Sequence, residues 1–430
     1  SVTSPYTHLF IMINIFDSSV APGDKANVII SGGGLAGLST SLGLAKLGLF
    51  DIDIIECRTE WLNQGSAFGL AANGRKALKE LFASPESLER LVEKGIYIED
   101  FDSYLLVWYM VRDALLEEVK KYPSISIHMG KTIESYDDTS DQSQIEVVVK
   151  EVENPDKKEK LKGSLLIAAD GVYSDIRALA GLVPAKLATK TKWRGTIPHV
   201  PMGSILEPFL DKGILPLRMD ESTKGMQTGE CLINVFNFHP KVDRKMTFVM
   251  NASVINLPPD THPSSLFRKH MPDSYHQQIL EEVYKLADDR ELHYPLAMAV
   301  IELPNDGSKG WGGKGRVLFV GDSAHAMRPA SGIFMFISVP FSFLSFANCN
   351  TSSETGLGGA MAFEDAVVLC RLLKSGGIGS LKTKESAEAL VHKFEASRFD
   401  RVKIIWDNQW EISEGAYKKN LKGTNPKMAQ

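Results

Sequence analysis

The chain has 430 residues, of which 43% are hydrophobic and 23% charged, proportions typical of a globular protein with a sizeable core. Its net charge of −5 gives no support to a nucleic-acid-binding surface or to attraction by an anionic membrane. The cysteines have neither CxxC nor metal-site spacing, so we expect no metal centre and free thiols in a reducing compartment: Cys57, Cys231, Cys349 and Cys370.

The first residues of the chain are predicted to contribute nothing to the fold. Residues 8–16 are apolar, but they are too few for a membrane-spanning helix, which needs about 20 residues. They also lack the basic flank of a signal peptide. We therefore expect residues 1–26 to be a disordered leader, and the protein to be cytoplasmic and without a membrane span.

The following segment predicts one βαβ unit. Residues 27–31 are apolar and β-branched, as in a strand buried on both faces, and a glycine cluster follows them. Residues 35–47 carry apolar side chains at helical spacing, and residues 51–56 form a second strand pattern. Strand, glycine turn, helix and strand within about 30 residues are typical of a dinucleotide-binding layer.

The chain then alternates between helix and strand patterns. Residues 112–121 predict an amphipathic helix, and residues 144–150 and 161–169 predict strands. The charged residues 154–160 predict the solvated tip of a hairpin.

The middle of the chain has a different pattern. Between about 191 and 298, short strand patterns lie between Pro, Gly and Asp turns, with a helix near 275–286. Residues 315–332 return to the strand-then-glycine pattern, and residues 360–374 and 387–412 are strongly helical.

This order predicts an α/β protein in which a nucleotide-binding domain is interrupted by a mostly antiparallel sheet. We expect residues 27–190 to form the first part of the nucleotide-binding domain and residues 191–300 to form an inserted substrate-binding sheet domain. Residues 301–430 would then form the second part, with the C-terminal helices.

The first motif with chemical meaning is Gly32-Gly33-Gly34-Leu35-Ala36-Gly37, which fits G-x-G-x-x-G between a strand and a helix. Gly32 permits a tight turn, Gly34 allows the backbone to approach a pyrophosphate, and Gly37 permits close packing of helix on strand. The N–H groups at the helix start then face the phosphates.

An acid in the expected place strengthens this interpretation. Glu56 follows the glycines by about 20 residues, at the end of the second strand, where it can accept hydrogen bonds from a ribose. An acid there disfavours a 2′-phosphate, so the dinucleotide would be FAD or NAD. The alternative is a glycine-rich turn in an unrelated α/β protein.

Two later motifs resemble those of the FAD-dependent aromatic hydroxylases, a monooxygenase family that includes salicylate, para-hydroxybenzoate and zeaxanthin-epoxidase-like enzymes. Residues 170–177 resemble its D-G-x-x-S-x-x-R signature, and residues 317–329 resemble its G-D-A-A-H-x-x-x-P signature. Residues 356–369 and 394–401 resemble the two segments that follow. The resemblance covers about residues 27–410 and implies a Rossmann-like FAD-binding domain of the GR2 type.

The resemblance also implies roles for individual residues in binding FAD. Asp322 would hold the ribityl hydroxyls, and Asp170 and Gly171 would lie near the pyrophosphate and the nicotinamide. Gly321 would let the chain pass close to the cofactor, Pro329 would stiffen the turn beside the flavin ring, and the Gly356–Gly359 run, with Gly356 and Gly358, would offer N–H groups to the reduced flavin.

Two charged residues have competing interpretations. Arg112, at the start of its predicted helix, resembles the family's FAD-contacting arginine, and its alternative is a solvated arginine on a helix face. His325 invites a catalytic role, but no Ser/His/Asp set surrounds it, and the resemblance implies that it is structural.

In this family the protein supplies no acid or nucleophile for the main step, so we expect no catalytic side chain. The resemblance implies that NAD(P)H reduces the flavin, that O2 adds to flavin C4a, and that the resulting hydroperoxide hydroxylates or epoxidises a small aromatic or polyene-like substrate. No second G-x-G-x-x-G follows a predicted strand, since the run at residues 310–315 precedes one, which is consistent with NAD(P)H binding as a co-substrate without its own domain.

Two other functions remain open from the sequence. An FAD oxidase or dehydrogenase on the same fold would use the same motifs without inserting oxygen. An inactive, flavin-free homologue is the other possibility, because residues 333–355 separate the motif at 317–329 from the glycine run that should follow it.

This segment contains five phenylalanines and no basic residue, and its removal would join Pro-Ala-Ser-Gly to Gly-Leu-Gly-Gly. We interpret it as a translated intron or another gene-model insertion, since an exposed apolar run of this size is an aggregation hazard. A membrane-touching loop and a substrate lid are the alternatives.

Overall fold

The structure is a computed structural model that describes residues 25–63, 67–99, 102–139, 143–210, 214–218, 232–236, 244, 246–252, 274–287, 296–327 and 357–420. Residues 1–24 of the predicted leader, Pro329, Gly356 and the 333–355 segment lie outside these ranges. No helix within them is long and apolar enough to cross a membrane.

The strands are, in chain order, β1 (Ala26–Ser31), β2 (Phe50–Glu56), β3 (Ala67–Ala71), β4 (Ile96–Ile98), β5 (Ser103–Val107), β6 (Ile125–Met129), β7 (Lys131–Asp137), β8 (Ile145–Glu151), β9 (Lys158–Gly163), β10 (Leu165–Ala168), β11 (Lys186–Ile197), β12 (Ile214–Arg218), β13 (Leu232–Phe236), β14 (Met246–Ala252), β15 (Leu296–Val300) and β16 (Val317–Phe319).

The helices are α1 (Leu35–Lys46), α2 (Ala72–Leu81), α3 (Pro85–Val92), α4 (Trp108–Val119), α5 (Asp175–Leu179), α6 (Ser274–Leu286), α7 (Asp322–His325), α8 (Leu357–Gly376) and α9 (Lys384–Asn420).

A five-stranded parallel sheet, in the order β16–β10–β1–β2–β6, forms the centre of the fold. Its central strand β1 is buried along almost its whole length, which agrees with its continuous apolar sequence. The helix α1 packs between this sheet and α8 so closely that a Cβ at Gly43 would lie 2.5 Å from Sγ of Cys370. The predicted βαβ unit and the α/β fold class are confirmed.

A separate antiparallel sheet has the order β12–β13–β14–β11–β15, and its strands lie between residues 186 and 300. It lies where the sequence predicts a substrate-binding sheet domain. Its first strand, β11, begins before the predicted boundary at residue 191.

The prediction of a single strand over residues 161–169 is wrong. The chain there belongs to two sheets: β9 pairs antiparallel with β8, and β10 pairs parallel with β1. The change occurs at Ser164, whose N–H donates to the carbonyl of Asn27 at 2.7 Å. Both strands contribute apolar residues to this run, so hydrophobic periodicity could not locate the junction.

The predicted hairpin tip is shorter than expected because residues 158–160 are already in β9. Lys158 pairs across the sheet with Glu134 of β7 at 2.8 Å, and Lys160 pairs with Glu146 of the neighbouring strand β8 at 2.6 Å. A charged strand is stable here because one face of this antiparallel sheet is exposed and cross-strand pairs compensate its charges.

The helix predicted over residues 112–121 begins earlier, at Trp108, so Arg112 lies in its second turn rather than at its start. The small sheet β3–β5–β4 was not predicted from the sequence. Its strands have three to five residues, too few for a reliable periodicity.

Candidate cofactor-binding site

The predicted motifs converge at one edge of the parallel sheet. The strands β1, β2, β10 and β16 run in the same direction, so the segments that follow them emerge on the same side. These segments contain Gly32, Glu56, Asp170 and Gly321. The strand β1 lies between β2 and β10, and such a position at the carboxyl end of a doubly wound sheet is where ligands bind in this architecture.

The first glycine turn has the geometry that its sequence predicts. Gly32 has a φ of +101°, and a Cβ there would lie 2.5 Å from the carbonyl oxygen of Ala169. A Cβ at Gly37 would overlap the carbonyl oxygen of Gly32 and lie 3.3 Å from Cγ2 of Ile30. Both residues must therefore be glycine for the helix α1 to pack against β1 and β10.

Gly34 is different, because no atom of the described residues, its two chain neighbours aside, lies within 4 Å of the position of its Cβ. Its φ of −74° is accessible to any residue, so neither backbone strain nor packing demands glycine. The residue precedes α1, whose first-turn N–H groups, including those of Leu35, Ala36 and Gly37, have no acceptor within the helix. This open space beside unpaired N–H groups suits the oxygen atoms of a phosphate.

Glu56 is buried at the end of β2, next to this turn. Its Oε2 accepts a 2.7 Å hydrogen bond from the Gly33 amide, and its Oε1 accepts one of 3.0 Å from the Arg58 amide. The acid thus holds the glycine turn, and its contact with a ribose stays a prediction. The side chain of Trp61 lies next to the glycine turn, since a Cβ at Gly33 would lie 2.7 Å from its ring. This residue was not predicted from the sequence.

Arg112 is buried, with 2% of its side chain exposed. Its guanidinium lies 5.5 and 5.8 Å from the ring centroids of Trp61 and Trp108. It donates hydrogen bonds to the carbonyl of Leu62 and to Oδ1 of Asp113, each of 2.5 Å. The interpretation as a solvated arginine is therefore wrong, because the two tryptophans and these acceptors enclose its side chain.

The second motif presents a carboxylate with a free oxygen. Asp170 Oδ2 accepts a 3.2 Å hydrogen bond from the Ile176 amide, whereas Oδ1 is buried without a partner. Burial raises the pKa of the Asp170 carboxyl. Gly171 has a φ of +86°, and within the part of the chain that the structure describes no atom beyond its chain neighbours lies within 4 Å of its Cβ position.

The third motif turns at Gly321, which has a φ of +59°. A Cβ there would lie 2.8 Å from the Cβ of Ala36 in α1, so this turn is in contact with the first motif. Asp322 is the exposed residue of α7, while the other three residues of this helix are buried. Desolvation by the surrounding protein raises the pKa of the Asp322 carboxyl.

Gly358 lies next to Asp322, whose Oδ1 is 3.6 Å from the Cβ position of this glycine. The sequence predicts that the glycine run precedes its helix. The structure differs, because α8 begins at Leu357. Gly358 therefore occupies the first turn, where N–H groups still lack an acceptor within the helix.

His325 is buried in a network of charged side chains. Its Nε2 forms a 2.8 Å hydrogen bond with Oδ2 of Asp365, and Asp365 Oδ1 accepts one of 2.7 Å from Nε of Arg398. Arg398 also pairs with Glu364 at 2.9 Å. With 1% of its surface exposed, His325 has no access to a substrate, which agrees with the structural role expected for it.

Arg177 connects the second motif to the third. Its Nη1 donates a 3.2 Å hydrogen bond to the carbonyl of Ser323, and its Nη2 donates one of 3.1 Å to the carbonyl of Val183. The Ser323 hydroxyl in turn donates to the carbonyl of Ala168, at 2.7 Å. Asp365, Arg398 and Arg177 are parts of the site whose contacts the sequence did not reveal, although all three lie within the quoted motifs.

The groups at this edge fit a dinucleotide such as FAD. Gly34 offers open backbone to a pyrophosphate, Asp170 has an unpaired buried oxygen, and Asp322 has an exposed carboxylate for hydroxyl groups. No group of three or more metal-ligating side chains occurs within the described ranges. Of the described cysteines, Cys57 is exposed and Cys370 buried, and both are free thiols.

Comparison with known families gives a direct match. The profile described as "FAD binding domain" matches residues 103–338, more than half of the chain. The FAD-dependent monooxygenases prhF and ausM of Penicillium brasilianum are each 24% identical to it, and both alignments cover 91% of this chain and 79% of the relative.

Solved structures show the same fold. CtdE in complex with FAD aligns with a TM-score of 0.67 and 15% identity, covering 92% of this chain and 94% of that protein. A 2-methyl-3-hydroxypyridine-5-carboxylic acid oxygenase aligns with a TM-score of 0.62 and 17% identity, covering 94% of both chains.

Proposed function

We propose the following reaction for this chain, which belongs to the FAD binding domain family and is an FAD-dependent oxidoreductase of the monooxygenase class. It uses NAD(P)H and O2 to hydroxylate or epoxidise a small aromatic or polyene-like molecule. The observation that carries the proposal is the meeting of three motifs at one sheet edge, where Gly34, Asp170 and Asp322 offer open space and free oxygen atoms.

Each motif would hold a different part of FAD. The N–H groups of Leu35, Ala36 and Gly37 face the pyrophosphate beside Gly34, and Glu56 accepts hydrogen bonds from the adenosine ribose. Asp170 and Gly171 lie near the pyrophosphate, and Asp322 binds the ribityl hydroxyls next to Gly321 and Gly358. Arg112, Pro329 and Gly356 belong to the same proposed set.

FAD, when bound, supplies electron transfer from NAD(P)H and delivery of an oxygen atom to the substrate. The chain's own residues bind it, orient it and exclude water. No side chain needs to act as an acid or a nucleophile in the main step. His325 does not have such a role, because its ring forms a hydrogen bond with Asp365 and packs against Trp311. Substrate binding is assigned to the sheet β12–β13–β14–β11–β15.

The first test is the visible absorption spectrum of the purified chain with and without added FAD. We expect bound flavin, its anaerobic reduction by NADH or NADPH, and incorporation of isotopically labelled O2 into an aromatic acceptor. Peroxide formed in stoichiometric amount without labelled product would show instead an FAD oxidase. A colourless protein that takes up no FAD would show a flavin-free homologue, which the 333–355 segment makes a specific alternative.

A further inference from the structure

The buried carboxylate of Asp365 contacts both ends of the helix α7. Its Oδ2 accepts hydrogen bonds from the Gly321 amide at 2.9 Å, just before this helix, and from His325 Nε2 at 2.8 Å, at its end. Asp365 itself belongs to α8 and is fully buried. One carboxylate oxygen thus holds a four-residue helix that is too short to be stable by itself.

The turn held in this way contains Asp322, the residue proposed to bind the ribityl hydroxyls. Ser323, Ala324 and His325 are buried, so Asp322 is the residue of α7 that reaches the cleft. Gly321 adopts a φ of +59° and a ψ of −139°, a conformation that an amide hydrogen bond to Asp365 helps to maintain. The direction of the Asp322 side chain follows from this backbone.

The face of α8 that carries Asp365 is continuous with the cofactor site. Gly358, Ala362 and Asp365 are spaced by four and three residues, so they share one helix face. Gly358 is next to Asp322, and the Cβ of Ala362 lies 3.3 Å from the Cβ position of Gly321. Asp365 continues this line one turn further into the core.

Arg398 keeps the carboxylate charged. Burial alone would raise the pKa of Asp365, but His325 and Arg398 hold it below its usual value. The Arg398 Nε binds the second oxygen, Oδ1, at 2.7 Å, which leaves Oδ2 for the turn. An uncharged amide in this place could not accept from all three donors, since it has one acceptor oxygen.

We propose that Asp365 is a positioning residue for FAD: it acts through the Gly321 amide and His325 to aim Asp322 at the cofactor, with Arg398 as its counter-ion. This inference rests on the proposed FAD site. It assigns a role in FAD binding to an acid of α8 that is fully buried and acts through its hydrogen bonds to the turn.

Glu364 provides a matched control, because it neighbours Asp365 in the chain and pairs with the same arginine. Its contacts are with Arg398, Arg401 and Asn73, and none of its hydrogen bonds reaches the residues 321–325. Asp365→Asn and Glu364→Gln therefore remove one charge each from the same ion-pair network, and only the first disturbs the turn.

The experiment measures the Kd for FAD by quenching of flavin fluorescence, together with the thermal midpoint of each apoprotein. We expect Asp365→Asn to raise the Kd at least tenfold and Glu364→Gln to change it less than about twofold. Equal Kd values in Asp365→Asn and the wild type, or equal losses in both variants, would overturn the inference. Wild-type protein that binds no FAD would overturn the proposed function and this inference with it.

His325 supplies a second pair of variants in case Asp365→Asn does not fold. His325→Gln keeps a side-chain donor for Asp365, and His325→Leu removes it. We expect the Kd for FAD to rise severalfold in His325→Leu and to be restored in His325→Gln. Identical FAD affinities in the two variants would show that the link from Asp365 to the turn has no role in binding.

Discussion

The carbonyl oxygen of Gly32 occupies the space into which a Cβ at Gly37 would project. This contact joins the end of β1 to the first turn of α1 and brings the helix start to the edge of the sheet. Gly34, between these two residues, takes no part in it. The three glycines of one motif thus serve two purposes: Gly32 and Gly37 serve packing, and Gly34 leaves room for a ligand.

The first prediction separates these purposes. Gly34→Val should abolish measurable FAD binding, while the free energy of unfolding of the apoprotein should stay within about 1 kcal/mol of the wild type, since no atom of the described residues beyond its chain neighbours lies within 4 Å of the Cβ position. Gly37→Ala should instead destabilise the apoprotein by about 1–3 kcal/mol through overpacking. Urea denaturation and FAD titration of both variants check this, and retained FAD affinity in Gly34→Val would refute the assignment.

The second prediction concerns the buried carboxylate of Asp170, whose Oδ1 has no hydrogen-bond partner among the described residues. Its raised pKa means that ionisation destabilises the folded apoprotein as the pH rises from 3.8, the usual value, through the folded pKa. Asp170→Asn should therefore raise the thermal midpoint of the apoprotein at neutral pH by at least about 2 °C, and this gain should vanish below about pH 3.8.

The same variant should weaken FAD binding about tenfold, or ~1.4 kcal/mol, because an uncharged amide is a weaker acceptor than a carboxylate for a hydroxyl group of the cofactor. Asp175→Asn, an exposed acid in the same motif, is the control and should change neither quantity. A lower thermal midpoint in Asp170→Asn at neutral pH would contradict the inference that the desolvated carboxylate destabilises the apoprotein.

The third prediction addresses Arg112. Lysine has no planar group to lie against Trp61 and Trp108 while it binds two acceptors, so Arg112→Lys should lower the thermal midpoint of the apoprotein by several degrees. Arg90→Lys, in an exposed position of α3, should have no such effect. If Arg112 acted only by touching FAD, the midpoint of the apoprotein would be unchanged.

The fourth prediction concerns the segment 333–355, which we propose is a gene-model insertion. The match to the FAD binding domain profile ends at residue 338, inside this segment. A chain lacking residues 333–355 should bind FAD at least tenfold more tightly than the full chain, because Gly358 would then follow the third motif directly. Weaker binding by the shortened chain, or a single class of transcripts that encodes the segment, would contradict the proposal.

The arrangement of the parallel sheet could be predicted because it depends on local signals. The apolar strand β1, the glycine turn and the helix α1 each have a pattern of short range, and Glu56 follows at a fixed interval. Asp170 and Asp322 were identified by family resemblance, since an acid after a strand has no distinctive pattern of its own.

The remaining features depend on contacts between distant parts of the chain. Periodicity could not divide residues 161–169 between two sheets, because a strand's partner is chosen by the fold. Trp61 lies over Gly33 and Arg112 lies between two tryptophans only after β2, α4 and their loops have packed together.

The sequence by itself determined that this protein has a dinucleotide-binding layer, since hydrophobic period, glycine spacing and one acid are sufficient for that motif. The tertiary structure alone decided what Asp365 and Arg177 do. Their partners, Gly321, His325 and Ser323, lie 40 or more residues away in the chain. Hydrogen bonds act over about 3 Å of space, so only folding reveals which buried charges hold the turn that carries Asp322.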